Sequence, residues 1–297
     1  MPKQPNLPRH PKNPVGQTQR INRAVKGLRR SIDDAQRYAI ETLMNWPTTV
    51  SNAKFYEFQI DKDDVERLVN EIDRMLKTSR GVGASVRFTE AAYRDGVAKA
   101  AENLAGLSDD YVRTVAIRLG DQQVLKRAAY AGARIFEEMK GFAGDTSKDL
   151  SRVLFEAVQS GENPHETAKR IRERFGVSKV RAERIARTEI TGALRRGRWD
   201  EARDAEQQLG MEVRLIHYSA LIPGRTRESH ARRHGKIVTV AEQAAWYSQD
   251  ANAINCLCSA TEVTVGKDGK PLFGAKMIDR MGQARKGFLK TTKKEEA

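Results

Sequence analysis

Gly210-Met211-Glu212-Val213-Arg214-Leu215-Ile216-His217-Tyr218 is the stretch on which the fold of this chain turns. Ahead of it, the pattern from Gln19 onward is helical for a long way. Within it, β-branched and aromatic residues predict a strand over 213–218. Upstream, the spacing predicts a helix from Lys179 to about Gln208, capped by Ser178. A shorter helix precedes it and ends at Gly176. Asn163-Pro164-His165-Glu166 starts that shorter helix, with a capping Asn, proline at the first helical position and Glu at the third. Thr146 and Asp149 resemble a capping box ahead of Leu150, Val153, Leu154 and Ala157. Val65, Leu68, Val69, Ile72, Met75 and Leu76 mark another helix, which Gly81-Val82-Gly83 punctuates. A further helix runs near Thr89 to Leu107, and Ser108 caps the one after it.

Downstream, Ile237-Val238-Thr239-Val240 reads as a second strand. Thr239 with Glu242 caps a short helix through Trp246. Thr261 to Val265 alternates ahead of Gly266-Lys267-Asp268-Gly269-Lys270, a hairpin signal with an Asp-Gly turn. The fold class expected is α+β: a predominantly helical N-terminal region followed by a small α+β C-terminal module. Four segments follow from the texture: a flexible Pro/basic arm over 1–18, a helical region over 19–145, the module over 146–275, and a basic flexible tail over 276–297. Pro2, Pro5, Pro8, Pro11 and Pro14 define the arm, because proline this dense blocks helix. No period of repeat length stands out.

Across 297 residues, 53 Lys and Arg face 39 Asp and Glu, a formal charge of +14. Such a balance favours a polyanionic neighbour. From Lys169 through Arg198, eleven Lys or Arg face three Glu. That surface suits sequence-blind phosphate contact, or equally an acidic protein partner. Aromatic residues are sparse there, which argues against a base-stacking platform. No apolar run approaches the ~20 residues needed to span a bilayer, so no membrane is expected as a partner. The N-terminus lacks the apolar stretch of a secretory signal. The only two cysteines, Cys256 and Cys258, are too close for a relaxed disulfide and suit reduced thiols in a cytosol.

Those cysteines close a split constellation. Arg225-Thr226-Arg227-Glu228-Ser229-His230 comes first, His234-Gly235 follows, and Asn255-Cys256-Leu257-Cys258 ends it. On an extended segment Cys256 and Cys258 share a face, and with His230 or His234 they could hold Zn²⁺. The alternative is a structural knot: small buried thiols, arginine forks holding loops, Gly235 in a turn and Asn255 bonding its own backbone. The knot is the reading adopted, with no cofactor and no catalytic residues, and His230, His234, Cys256 and Cys258 stand as the candidate metal ligands. A thiol nucleophile lacks a recognisable setting, and no GxGxxG, P-loop, HExxH or GxSxG motif is present.

Taken in order, Arg184, Ala186, Arg187, Thr188 and Glu189, then Arg225, Thr226, Arg227, His230 and Gly235, then Asn255, Cys256 and Cys258 resemble the bacteriophage Mu F-like family. These are minor head, or head morphogenesis, proteins of tailed phages. Pro223-Gly224 stands where that family usually has an acidic residue, and Leu257 where it often has arginine. The resemblance makes 146–275 a Mu F-like head morphogenesis domain. It implies a virion component at the capsid interior or portal vertex, present in the host cytoplasm during assembly. Its implied partners are the portal protein, other head or scaffold proteins, and packaged double-stranded DNA held by non-specific phosphate contacts. A nucleic-acid-binding protein outside the particle is the alternative. A Cys/His-dependent or ADP-ribosyltransferase-like enzyme is the other, since related modules are fused to such enzymes in some phage proteins.

Overall fold

The computed structural model describes residues 4–52, 55–118 and 121–295. Met1–Lys3 of the expected arm and Glu296–Ala297 of the expected tail lie outside the described residues. The architecture is α+β, with helices dominating up to Leu209 and a small antiparallel sheet with short helices after it. In chain order the elements begin with α1 (Thr18–Met44), β1 (Thr48–Asn52), β2 (Phe55–Phe58) and α2 (Lys62–Lys77). Next come α3 (Arg80–Leu107), α4 (Asp109–Arg118), α5 (Gln122–Ser160) and α6 (Pro164–Leu209). The C-terminal part holds β3 (Val213–Tyr218), α7 (Glu228–Ala231), β4 (Ile237–Val238), α8 (Val240–Tyr247), β5 (Ser259–Thr264) and α9 (Ala275–Glu295).

Two compact units share these elements. A hairpin unit comprises Arg20–Phe88 and Gly132–Ala186, and a sheet unit comprises the residues up to Gln19, Thr89–Ala131 and the chain from Arg187. Both are therefore discontinuous in sequence.

In the hairpin unit, α2 forms where the apolar periodicity places it, burying Val65, Leu68, Ile72 and Leu76. Asp61 caps it in a reciprocal box with Asp64, satisfying amide groups that the first turn leaves unpaired. Gly81 and Gly83 do not punctuate that helix; they lie in the first turns of α3. A Cβ on Gly81 would come within 2.7 Å of the Gly27 carbonyl group, so here glycine permits close backbone approach. β1 and β2 pair antiparallel inside a stretch expected to be helical. Thr48-Thr49-Val50 and Phe55-Tyr56 carried that strand signal. Thr146 caps nothing, because it sits inside α5 and its hydroxyl donates to the Phe142 carbonyl oxygen at 2.9 Å. Gly176 likewise fails to end a helix. α6 runs unbroken from Pro164, and Ser178 meets Thr146 across 3.2 Å instead of capping. The Asn163 start holds: its side-chain oxygen accepts from the His165 amide at 2.9 Å.

In the sheet unit the strand order is β4-β3-β5, all antiparallel. Val213 pairs with Thr264 and Tyr218 with Ser259. Both faces of β3 are covered, so Val213, Leu215 and Ile216 are all buried although the strand alternates in direction. Val213 and Leu215 join a core with Leu104, Tyr111, Trp199 and Ala202. Ile216 faces the other way, onto Val263, Met277 and Met281. The last two belong to α9, so residues 276–295 are a packed helix where a flexible tail was expected. Its apolar stripe is short and set among lysines and arginines. The arm also docks. Residues 4–17 have no helix or strand before Gln17, but Pro5, Pro14 and Val15 are buried. The Asn6 amide donates to Asn103 Oδ1 at 2.6 Å, and the Thr261 hydroxyl donates to the Asn6 carbonyl at 3.0 Å. After β5 the Asp-Gly turn forms, but the return is a single bridge, Val265 to Pro271.

Candidate functional site

Three segments of the sheet unit converge on the two cysteines. α6 supplies Arg187, Thr188, Glu189 and Arg195, the α7 region supplies Arg225 to His234, and the loop from Asp250 leads into Cys256 and Cys258. That loop is folded tightly, with Asp250, Ala251 and Asn255 at φ of 49°, 55° and 52°. Asn tolerates this left-handed region better than most residues, which accounts for Asn255. Its amide donates to Thr188 Oγ1 at 3.0 Å. Arg227 reaches the same loop, donating to the carbonyl oxygens of Ala251, Asn252 and Ile254 at 3.0–3.2 Å. Thr226 Oγ1 accepts from the Ile222 amide at 2.9 Å. Gly235 has φ +74°, and a Cβ there would meet Met281 Cβ at 2.7 Å. Glu189 is buried and pairs with Arg196 at 3.4 Å. Arg184 is exposed on α6, in the hairpin unit, and Arg225 is exposed beside the loop.

Around the sulfurs the packing is close. His230 Nδ1 lies 3.4 Å from Cys256 Sγ and 3.4 Å from Cys258 Sγ. The Cys258 amide donates to Cys256 Sγ at 3.3 Å, and Ser219 Oγ is 3.2 Å from Cys258 Sγ. Arg195 donates to the Cys256 carbonyl oxygen at 3.3 Å and stacks 4.3 Å over the Tyr247 ring. All three candidate ligands are buried. The hydrogen bond from Cys258, helped by His230 and the Arg195 charge, pulls the Cys256 thiol well below its ordinary pKa. Cys258, bonded to Cys256 and desolvated, is pushed well above. A cavity of about 310 Å³ adjoins the group, lined among others by Arg225, Thr226, Arg227 and Asn255, with no carboxylate among its described lining residues.

His234, the fourth candidate ligand, does not join this group. Its Nδ1 accepts from the Ser219 amide at 3.1 Å and its ring meets Tyr218. Arg195, Ser219 and His217 enter the site without a sequence signal of their own. No local spacing links Arg195 to a cysteine 61 residues away.

His217 is fully buried against Trp246 and Tyr247 and accepts from Gln243 Nε2 at 2.8 Å. Desolvation, reinforced by Arg233, lowers its pKa from 6.5 to about 3. Burial lowers that of His234 to about 4. A histidine depressed on folding binds more protons when unfolded, so its contribution is full above about pH 6.5 and is lost as pH falls towards the folded value. Stability is expected to drop by about 1.4 kcal/mol per pH unit from His217 alone as pH falls below about 6. Urea unfolding between pH 7 and pH 4.5 checks this, and His217→Asn should flatten the slope.

Most of the basic run on α6 is committed to the protein itself. Arg195 and Arg198 are buried. Arg170 pairs with Glu156 and Glu162, Lys179 with Asp33, and Arg181 with Asp145. Lys169, Arg172, Arg174 and Arg184 are exposed. No helix among the described residues is long and apolar enough to cross a membrane.

No curated protein and no solved structure matches the chain. The motif residues from Arg184 to Cys258 all fall in one matched segment: residues 148–261 match the model of the family described as phage Mu protein F like protein.

Proposed function

We propose that this protein is a minor head protein of a tailed bacteriophage, associated with the portal and acting by binding in head assembly and in the handling of packaged DNA. The observation that carries the reading is the family match over 148–261. Within that segment, the motif residues are spent on holding one another. Arg227 fastens the Asp250–Asn255 loop, and Thr188 fastens Asn255. Conformational work of this kind suits a docking module better than a turnover site. The charge of +14 and the exposed Lys169, Arg172, Arg174 and Arg184 supply phosphate contacts to DNA. The place of action is the capsid interior or portal vertex, reached from the host cytoplasm during assembly.

Mass spectrometry of purified particles, with affinity capture of the portal from infected-cell lysate, tests this. The protein should be found in particles at low copy and should co-purify with portal. Absence from both particles and portal complexes would sink the proposal. Retention of salt-sensitive DNA binding in that case would favour a nucleic-acid-binding protein outside the particle. For the DNA contact itself, Arg172→Ala with Arg174→Ala should reduce the slope of log affinity against log salt by about 2. An unchanged slope removes this face of α6 from the interface.

A further inference from the structure

His230 Nδ1 is equidistant from two sulfurs, 3.4 Å from each. A single N–H or lone pair engaged in one hydrogen bond would favour one sulfur over the other. Equal distances fit a shared central ion. The dimensions agree: with Zn–S of about 2.3 Å and Zn–N of about 2.05 Å, a tetrahedral centre has N···S edges of about 3.5 Å and an S···S edge of about 3.8 Å. Here the three potential ligand atoms all lie within 4.8 Å of one another, and all three residues are buried. The donor set is soft, two thiols and an imidazole, which selects zinc over magnesium or calcium. The spacing of Cys256 and Cys258 is short for zinc, but the left-handed Asn255 turns the chain so that both sulfurs face His230.

We propose that His230, Cys256 and Cys258 form a three-ligand zinc site whose fourth position faces the cavity beside Arg225 and Arg227. The surroundings are those of a zinc–thiolate centre. Ser219 Oγ lies against Cys258 Sγ, and the Cys258 amide donates to Cys256 Sγ. Tyr247 Oη sits 3.8 Å from Cys256 Sγ. Such outer contacts orient the ligands and spread thiolate charge. Two thiolates neutralise Zn²⁺, so the nearby Arg195 guanidinium meets a centre with no net charge to repel it. The open position takes water or a small anion, which the two cavity arginines favour. The ion ties α7 to the loop that leads into β5, making it a clamp on the motif. This inference stands on the ligand geometry and is independent of the virion assignment.

The test uses the full chain without a histidine tag, purified under reducing conditions. Elemental analysis after desalting should find about one zinc per chain. Cobalt titration of the chelator-stripped protein should give intense tetrahedral d–d bands and a thiolate-to-cobalt charge-transfer band. Cys256→Ser, Cys258→Ser and His230→Ala should each lose that spectrum and the bound zinc, whereas His234→Asn should keep both. If the ligand variants fail to fold, the wild-type titration decides alone, with circular dichroism confirming that the stripped protein is folded. Folded wild-type protein with neither bound zinc nor a charge-transfer band overturns the site. A cobalt spectrum that survives all three ligand substitutions also overturns it.

Discussion

Gly197→Ala is expected to cost the sheet unit upwards of about 3 kcal/mol, more than an ordinary overpacked site. The reason lies in the crossing of α3 and α6. A Cβ on Gly197 would lie 2.2 Å from the Tyr93 carbonyl oxygen, and a Cβ on Gly96 would lie 2.1 Å from that of Leu194. Each glycine faces the other helix's backbone, so no side-chain rotation relieves the clash. The helices must separate, and the neighbouring contacts of Val97 and Leu194 separate with them. Gly96→Ala should cost a similar amount. The double variant should cost less than the sum, because one separation relieves both clashes. Gly141 is also helical, but a Cβ there meets nothing within 4 Å. Gly141→Ala should therefore be neutral or stabilise by up to about 1 kcal/mol. Denaturant unfolding of the four variants gives the comparison. A Gly197→Ala protein as stable as wild type would show that the two backbones do not touch.

Arg198→Met should be nearly as damaging, at about 3–5 kcal/mol. Glu262 is completely buried in the middle of β5 and is held by a forked pair from Arg198 at 2.9 and 2.5 Å. Asn103 donates to both the Glu262 carbonyl and its carboxylate, at 2.7 and 3.2 Å. Removing the guanidinium leaves a buried carboxylate with one neutral donor. Arg198→Lys should recover only part of the loss, since an ammonium cannot make the fork. Arg198→Met combined with Glu262→Gln should recover most of it, because the amide keeps a partner in Asn103 and carries no charge. Thermal unfolding of the series reads the order directly, and equal stability of Arg198→Met and wild type would remove the pair from the account of the fold.

These two expectations rest on contacts that no local pattern contains. Gly197 and Arg198 sit inside a basic helical run, where the sequence suggests only a charged face. Their partners, Tyr93 and Glu262, lie on other elements, Glu262 being 64 residues away in the chain. The same limit explains Gly81, Gly176 and Thr146. Each carries a local signal for a helix end, and each is overridden by packing: a close backbone approach, or a helix long enough to absorb the residue. α9 is not legible in the sequence because its apolar residues are scattered among basic ones, and only a sheet face gives Met277 and Met281 a place to pack.

By contrast, β3, the apolar periodicity of α2, the Asn163 start of α6 and the Thr239–Glu242 box could be read directly. Their causes are local: strand-forming side chains in series, apolar residues at helical spacing, and side chains that satisfy nearby amides. Residue types and their order also carried the family resemblance. What tertiary structure alone decided is how the motif is spent. It brings His230 to both cysteines and turns His234 away to Ser219. It buries Arg195 and Arg198 as structural cations. Ligand geometry and charge pairing depend on atoms brought together across the chain by burial, and a linear pattern does not encode those distances.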